Sequence, residues 1–144
     1  DAALLERVSC NLIDNAIAHT PAGGHIVVAA RLAAGPAADE SDTHPEVVEL
    51  SVCDDGCGLP AGREHTIFER FVRAPQPSAT ASPGATGDSG TGLGLAIVRA
   101  IVEAHAGTVE ARNRDGGGAC FTLRLPLPPQ PERPPPEHED LAAP

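Results

Sequence analysis

Four short stretches hold residue types whose spacing suits one kind of chemistry. Residues 90–94 read Gly-Thr-Gly-Leu-Gly and lead into an apolar run. A helix N-terminus leaves backbone N–H groups without partners and carries partial positive charge. Glycine there lets a phosphate approach the backbone closely. Gly90, Gly92 and Gly94, with Thr91 and Leu93, therefore read as a phosphate seat; a flexible loop entering a helix is the other reading. A dinucleotide fingerprint would need a strand just before the glycines. Here a Pro/Ser/Gly-rich segment precedes them.

The second stretch, Asp54-Asp55-Gly56-Cys57-Gly58, closes a strand-like run. A carboxylate held at a strand end can accept a hydrogen bond from an amine on a flat heterocycle, and Gly56 and Gly58 leave room for the ring. A plain Asp-Gly turn is the alternative. The third is Asn11 and Asn15, four apart and so on one helix face, with Arg7 and His19 extending the stripe. Neutral oxygen donors beside a phosphate seat suit Mg²⁺, which shares its ligands with substrate phosphates; a solvated polar face is the alternative. In the fourth, Phe68 and Phe71 flank Glu69 and Arg70, with Arg73 beyond. The rings would pin the segment to the core while an arginine reaches phosphate, against the plainer reading of a surface arginine.

These residues need elements to hold them. Leu5, Val8, Leu12 and Ala16 give residues 3–19 one apolar helical face, stopped by Thr20, Pro21, Gly23 and Gly24. Strands are expected over 25–32 and 47–54, paired as a hairpin with a long loop at 33–45. A short helical turn covers 66–72, and 73–89 is a loop without periodicity. A helix over 93–104 would bury Ile97, Ala100, Ile101 and Ala104 and stop at Gly107. Strands at 108–113 and 119–125 flank an Arg-Asp-Gly-Gly-Gly turn. Without regular β-α-β alternation a parallel doubly wound sheet is not expected. The expectation is an α+β, two-layer α/β sandwich: a mixed, mostly antiparallel sheet with helices on one face. Residues 1–125 form the domain; 126–144, acidic and proline-rich, hold too few apolar residues to pack.

The 144 residues carry a net charge of −10, which argues against a nucleic-acid partner, since phosphate contacts need clustered Lys and Arg. No apolar run reaches the roughly 18 residues a membrane span requires, so no direct membrane contact is expected. With three Phe and no Trp, Tyr or Met, the core must be aliphatic. The four cysteines make no zinc pattern. They are expected to be reduced and mostly buried, in a cytosolic protein, with a Cys53–Cys120 disulfide left open. The chain opens at Asp1 without Met, as a fragment would.

In this order the stretches NLIDNAIAH, DDGCGLP, IFERF and GTGLGL resemble the N, G1, F and G2 boxes of sensor histidine kinases. Over residues 3–125 the chain is similar to their catalytic ATP-binding domain, in the gyrase–chaperone–kinase superfamily. GLPAGREHTIFERF, LAIVRAIVEAHAGTV and NRDGGGACFTLRLP look most like the potassium-sensing Kdp-type kinases. The resemblance implies the Bergerat-type fold, here without the strand that precedes the first helix. It implies ATP and Mg²⁺, with Asn15 on the metal and Asp54 accepting from the adenine amine. Gly56, Gly58 and Leu59 would line the adenine slot. Phe68, Arg70 and Arg73 would stand at the nucleotide, Arg73 on the terminal phosphate. Gly90, Thr91, Gly92, Leu93 and Gly94 would hold the phosphates, and 74–89 would be the ATP lid. Asn11, Asn15, His19 and Arg73 make up the implied catalytic set.

Hydrolysing and serine-kinase relatives usually carry a Glu base four residues before the metal Asn. Asn11 stands there instead, so transfer to a histidine, already nucleophilic as neutral imidazole, is the natural chemistry. Ala18 replaces a frequent Lys, and Ala106 a usual Gly, the latter without expected consequence. The implied partners are a separate histidine-bearing dimerisation domain of the same kinase and a response regulator. The parent would be membrane-anchored with this domain in the cytosol, and the fragment would not phosphorylate itself. An ATP-hydrolysing clamp, an anti-sigma serine kinase or a non-catalytic nucleotide-binding module remain the alternatives.

Overall fold

The computed structural model describes residues 1–36, 45–69 and 93–128. Arg70, Phe71, Arg73, the 74–89 segment, Gly90, Thr91, Gly92, most of the 33–45 connection and the tail from 129 lie outside the described residues.

Helix α1 spans Ala2–His19. Asp1 caps it, its Oδ1 accepting from the Ala3 N–H at 3.0 Å, which satisfies one of the free donors of the first turn. Val8, Leu12 and Ala16 are buried as their spacing predicts, while Leu5, one turn earlier, is 41% exposed. The helix ends where Thr20 turns extended and its hydroxyl donates back to the Ala16 carbonyl at 2.6 Å.

Strands β1 (Ile26–Ala34) and β2 (Glu46–Asp54) form the expected hairpin. A 3₁₀ turn follows at Thr66–Phe68, then helix α2 (Gly94–Ala104) and strands β3 (Thr108–Asn113) and β4 (Ala119–Pro126). Strand β4 runs one residue past the anticipated end, and the Leu127 N–H donates to the Glu46 carbonyl at 3.0 Å, so the sheet reaches into the segment expected to be tail. The strand order is β1-β2-β4-β3. All three pairings are antiparallel, so among the described residues the sheet is not mixed.

Alternation gives the sheet two unlike faces. Leu50, Val52, Phe121, Leu123, Val109 and Ala111 point to the helices and close a core with Val8, Leu12 and Ala16 of α1 and Val98 and Val102 of α2. The buried stripe of α2 is thus Leu95–Val98–Val102 with Ile101, not the expected Ile97–Ala100–Ala104 face; Ala100 and Ala104 are exposed. Phe68 packs edge-to-face on Phe121, ring centroids 6.1 Å apart, and so anchors the 3₁₀ turn to the sheet.

The left-handed residue that ends α2 is Ala106 (φ 56°), not Gly107. That conformation costs an L-residue about 1–2 kcal/mol, which explains why glycine suits this position. Gly107 is needed for a different reason: a Cβ there would stand 2.5 Å from the Arg124 carbonyl oxygen.

On the open face Cys53 and Cys120 stand opposite each other in register, and they are joined by a disulfide. This overturns the expectation of reduced thiols for that pair. Cys10 and Cys57 are free, but exposed rather than buried.

A cleft at the end of strand β2

Strand β2 ends on Asp54, whose side chain is carried on the core face of the sheet and is 2% exposed. A buried carboxylate must be hydrogen-bonded. Its Oδ1 accepts from the Gly56 N–H at 2.9 Å and from the Ala119 N–H at 3.4 Å. Both bonds fall on Oδ1. Among the described residues Oδ2 keeps its acceptor capacity, and it is not sealed away from solvent. That is the arrangement an external amine donor needs: an acceptor fixed by the backbone on one oxygen and open on the other.

Asp54 shares a cleft with Asn15 and His19 from α1 and with Gly58 and Leu59 from the loop after β2. Pro60, Ile67, Ala119 and Phe121 complete its walls. The cavity they line has a volume of about 20 Å³. Gly56 lets α1 and the loop meet: a Cβ there would collide with the His19 carbonyl oxygen. Asp55, next to the cleft residue, faces outward. The His25 backbone N–H, at 2.8 Å, holds its carboxyl below the usual carboxylate range, and the His25 ring adds to this from 3.2 Å.

The other end of the site lies one turn back along α1. Asn11 faces the start of α2: a Cβ on Gly94 would be 3.5 Å from its Oδ1. Asn11 and Asn15 are separated by about 6 Å along the helix axis. The first turn of α2 holds no acidic residue, and the Leu93 side chain does not cap it. Its N–H groups therefore keep the anion-binding character of an open helix N-terminus.

Of the residues singled out in the sequence, Asn15, His19, Asp54, Gly58 and Leu59 meet in one cleft, Gly56 adjoins it, and Asn11 faces Gly94 at the start of α2, with Leu93 just before it. Phe68 is 5% exposed and packs behind the cleft against Phe121, not on its wall. Arg70, Arg73, Gly90, Thr91 and Gly92 fall outside the described residues.

The sequence reading missed the part played by residues 113–119. The Asn113 side chain accepts from the Leu59 N–H at 2.6 Å and donates to the Leu59 carbonyl at 3.0 Å. The Arg114 guanidinium donates to the Asp54 carbonyl at 2.9 Å. Gly118 (φ 89°) lies against that same carbonyl, which a Cβ would strike. The run of three glycines signalled a turn; nothing local signalled what the turn would touch.

The residues 1–129 match the family model described as histidine kinase-, DNA gyrase B-, and HSP90-like ATPase. The sensor protein KdpD of Escherichia coli (strain K12) is 41% identical over 132 residues, which are 92% of this chain and 13% of that protein. Among solved structures, the mycobacterial sensor histidine kinase MprB superposes with a TM-score of 0.64 at 32% identity, covering 88% of this chain and 72% of that one. Full-length ShkA in complex with AMPPNP superposes with a TM-score of 0.61 at 30% identity, over 88% of this chain and 22% of that one. The described helices contain none long and apolar enough to cross a membrane.

Proposed function

This chain belongs to the histidine kinase-, DNA gyrase B- and HSP90-like ATPase family, and we propose that it binds Mg-ATP and donates the γ-phosphate to a histidine on a separate dimerisation domain of a two-component sensor kinase. The observation that carries this is Asp54: buried, held on Oδ1 by two backbone donors, and open on Oδ2 within a cleft shared with Asn15. An adenine amine is the donor such an oxygen suits. Gly58 and Leu59 would flank the ring, and the start of α2 beside Asn11 would face the phosphates.

Mg²⁺ fits this donor set on one condition. Among the described residues no group of three His, Cys, Asp or Glu could hold a metal. Among the described side chains that line the cleft Asn15 alone offers a neutral oxygen, so the ion would be held mainly by the nucleotide's own phosphate oxygens. When bound, it neutralises phosphate charge. The protein's own work is then positioning: Asp54 fixes the base, Asn15 and Asn11 order the polar side of α1, and the open N-terminus of α2 favours negative charge. Arg70, Arg73 and the Gly90–Gly92 turn are proposed as further phosphate contacts, and His19 as a catalytic neighbour of Asn15. The segment 74–89 is proposed as the ATP lid.

Asn11 supports histidine as acceptor over water or serine, since no carboxylate stands there to take a proton. The finer proposal concerns the parent: similarity to KdpD across 92% of the chain supports a Kdp-type, potassium-responsive kinase with a response regulator as partner. In that parent this domain would lie in the cytosol. A second reading, a nucleotide-binding module without catalysis, is favoured by Ala18, an exposed residue without charge beside His19.

Titration calorimetry with Mg-AMPPNP tests binding. The chain should bind, and Asp54→Ala should lose about ten- to a hundredfold in affinity, the worth of a hydrogen bond to a charged group, while its circular dichroism is retained. Equal affinity in the folded variant defeats the proposal. Mixing the chain with a cognate histidine hairpin and ATP should yield acid-labile phosphate; binding without transfer selects the second reading.

A further inference from the structure

The β3–β4 turn grips the loop 54–59 at both ends. At the near end Arg114 donates to the Asp54 carbonyl and the Ala119 N–H to the Asp54 carboxylate. At the far end Asn113 meets Leu59 with both halves of its amide, accepting at 2.6 Å and donating at 3.0 Å. This pairing copies a strand partner. It supplies the two main-chain groups of Leu59 with a donor and an acceptor from one planar side chain, and a primary amide carries both. The turn that presents Asn113 is itself closed, with the Arg114 N–H donating to the Gly118 carbonyl at 2.9 Å. Gly58 passes so close that a Cβ on it would be 2.7 Å from Asn113 Oδ1.

We propose that Asn113 is a positioning residue for the purine: it fixes the main chain of Leu59 against the cleft and so sets the fit of an adenine base held by Asp54. The proposal rests on the nucleotide-binding reading above and deepens it. Asn113 is itself exposed and does not line the cleft, so it acts through Leu59. Releasing it would leave Asp54 in place and loosen the opposite wall. The loss should fall on recognition of the base and spare the phosphate end.

The test compares the 144-residue chain with its Asn113→Ala and Asn113→Asp variants by calorimetry with Mg-AMPPNP and Mg-GMPPNP, with Leu59 amide exchange followed by NMR. Losing two hydrogen bonds to the loop should weaken AMPPNP binding about tenfold in the Ala variant, and at least as much in the Asp variant, whose second oxygen would face the Leu59 carbonyl as acceptor against acceptor. The preference for AMPPNP over GMPPNP should narrow and the Leu59 amide should exchange faster. A folded Ala variant with wild-type affinity, or with both nucleotides weakened equally, overturns the proposal. If the Ala variant does not fold, the Asp variant decides: wild-type affinity and preference there overturn it. Failure of the unaltered chain to bind AMPPNP would instead defeat the nucleotide-binding reading itself.

Discussion

Strands β4 and β1 belong to one sheet and read alike: Ala-Cys-Phe-Thr-Leu-Arg-Leu against Ile-Val-Val-Ala-Ala-Arg-Leu. In β4 the residues Ala119 to Leu123 are all buried, on both faces. In β1 Val27, Val28 and Leu32 are 56%, 49% and 64% exposed. Val28 and Leu32 share the core-side face with Val52 and Val48, their partners in register. Orientation is therefore not the difference. Place in the sheet is: β4 lies between β2 and β3 under the helix layer, while β1 is an edge that the helices scarcely reach. The cleft sits where the inner strands end beneath α1. The edge strand supports that corner at its start, where Ile26 pairs with Asp54 and the His25 N–H, just before the strand, holds Asp55.

The contrast is broken most directly at Phe121. This ring is 1% exposed, packs on Phe68 and forms part of the cleft wall. Truncation to alanine removes the largest fully buried side chain from a core with few rings. Urea unfolding should show a loss of about 3–5 kcal/mol, with nucleotide affinity falling as well. A loss near 1 kcal/mol would mean that the inner strand is no better packed than the edge.

Much of this arrangement is legible in the sequence, and the illegible part has a physical reason. Helix α1, the hairpin, and the limits of β3 follow from periodicity and turn residues, which are local. The meeting of Asn15, Asp54, Gly58 and Leu59 was legible through motif order. The buried stripe of α2 was misplaced because its sequence, Gly-Leu-Ala-Ile-Val-Arg-Ala-Ile-Val-Glu-Ala, is apolar on most sides. Only the neighbours decide which side is covered. Asn113 and Arg114 were read as a strand end and a turn because their partners, Leu59 and Asp54, lie 54 and 60 residues away. The exposure of β1 was equally hidden, since strand spacing carries no mark of edge position. Cys53 and Cys120 pair across two strands for the same kind of reason: register, not spacing, puts them opposite.

A milder test lies on the open face, where one chain of charges joins the two strands. Glu110 meets Arg124 at 2.6 Å, Arg124 meets Glu49 at 2.8 Å, and Glu49 meets Arg31 of β1 at 2.6 Å. Arg31 most of all, and then Arg124, hold the Glu49 carboxyl below its ordinary 4.5 against the opposing effect of burial. A carboxyl with a depressed folded-state pKa stabilises fully above its unfolded value. That contribution fades as pH falls below about 4.5 and is gone once pH passes the folded value. Glu49→Gln should therefore cost about 1 kcal/mol at pH 7, because both arginines are solvated enough for screening. Melting curves from pH 7 to pH 3 should show the gap to wild type closing on the acid side. A gap that stays constant with pH would remove the charge of Glu49 from the account.

The smallest effect is expected where the side chain is apolar but the place is wrong for it to matter. Leu32 faces the helix side of the sheet opposite Val48 and still leaves 64% of its surface in water. Replacing it with threonine removes apolar area that folding hardly buries, and a β-branched residue keeps the strand preference. The change in unfolding free energy should stay within about 0.5 kcal/mol, as for surface positions without special contacts. Nucleotide affinity should not move, since the cleft lies at the opposite end of β1, beside Ile26 and its partner Asp54. A cost approaching that of Phe121→Ala would show that β1 is covered in solution, and the distinction between inner and edge strand would then describe an isolated domain rather than the protein at work.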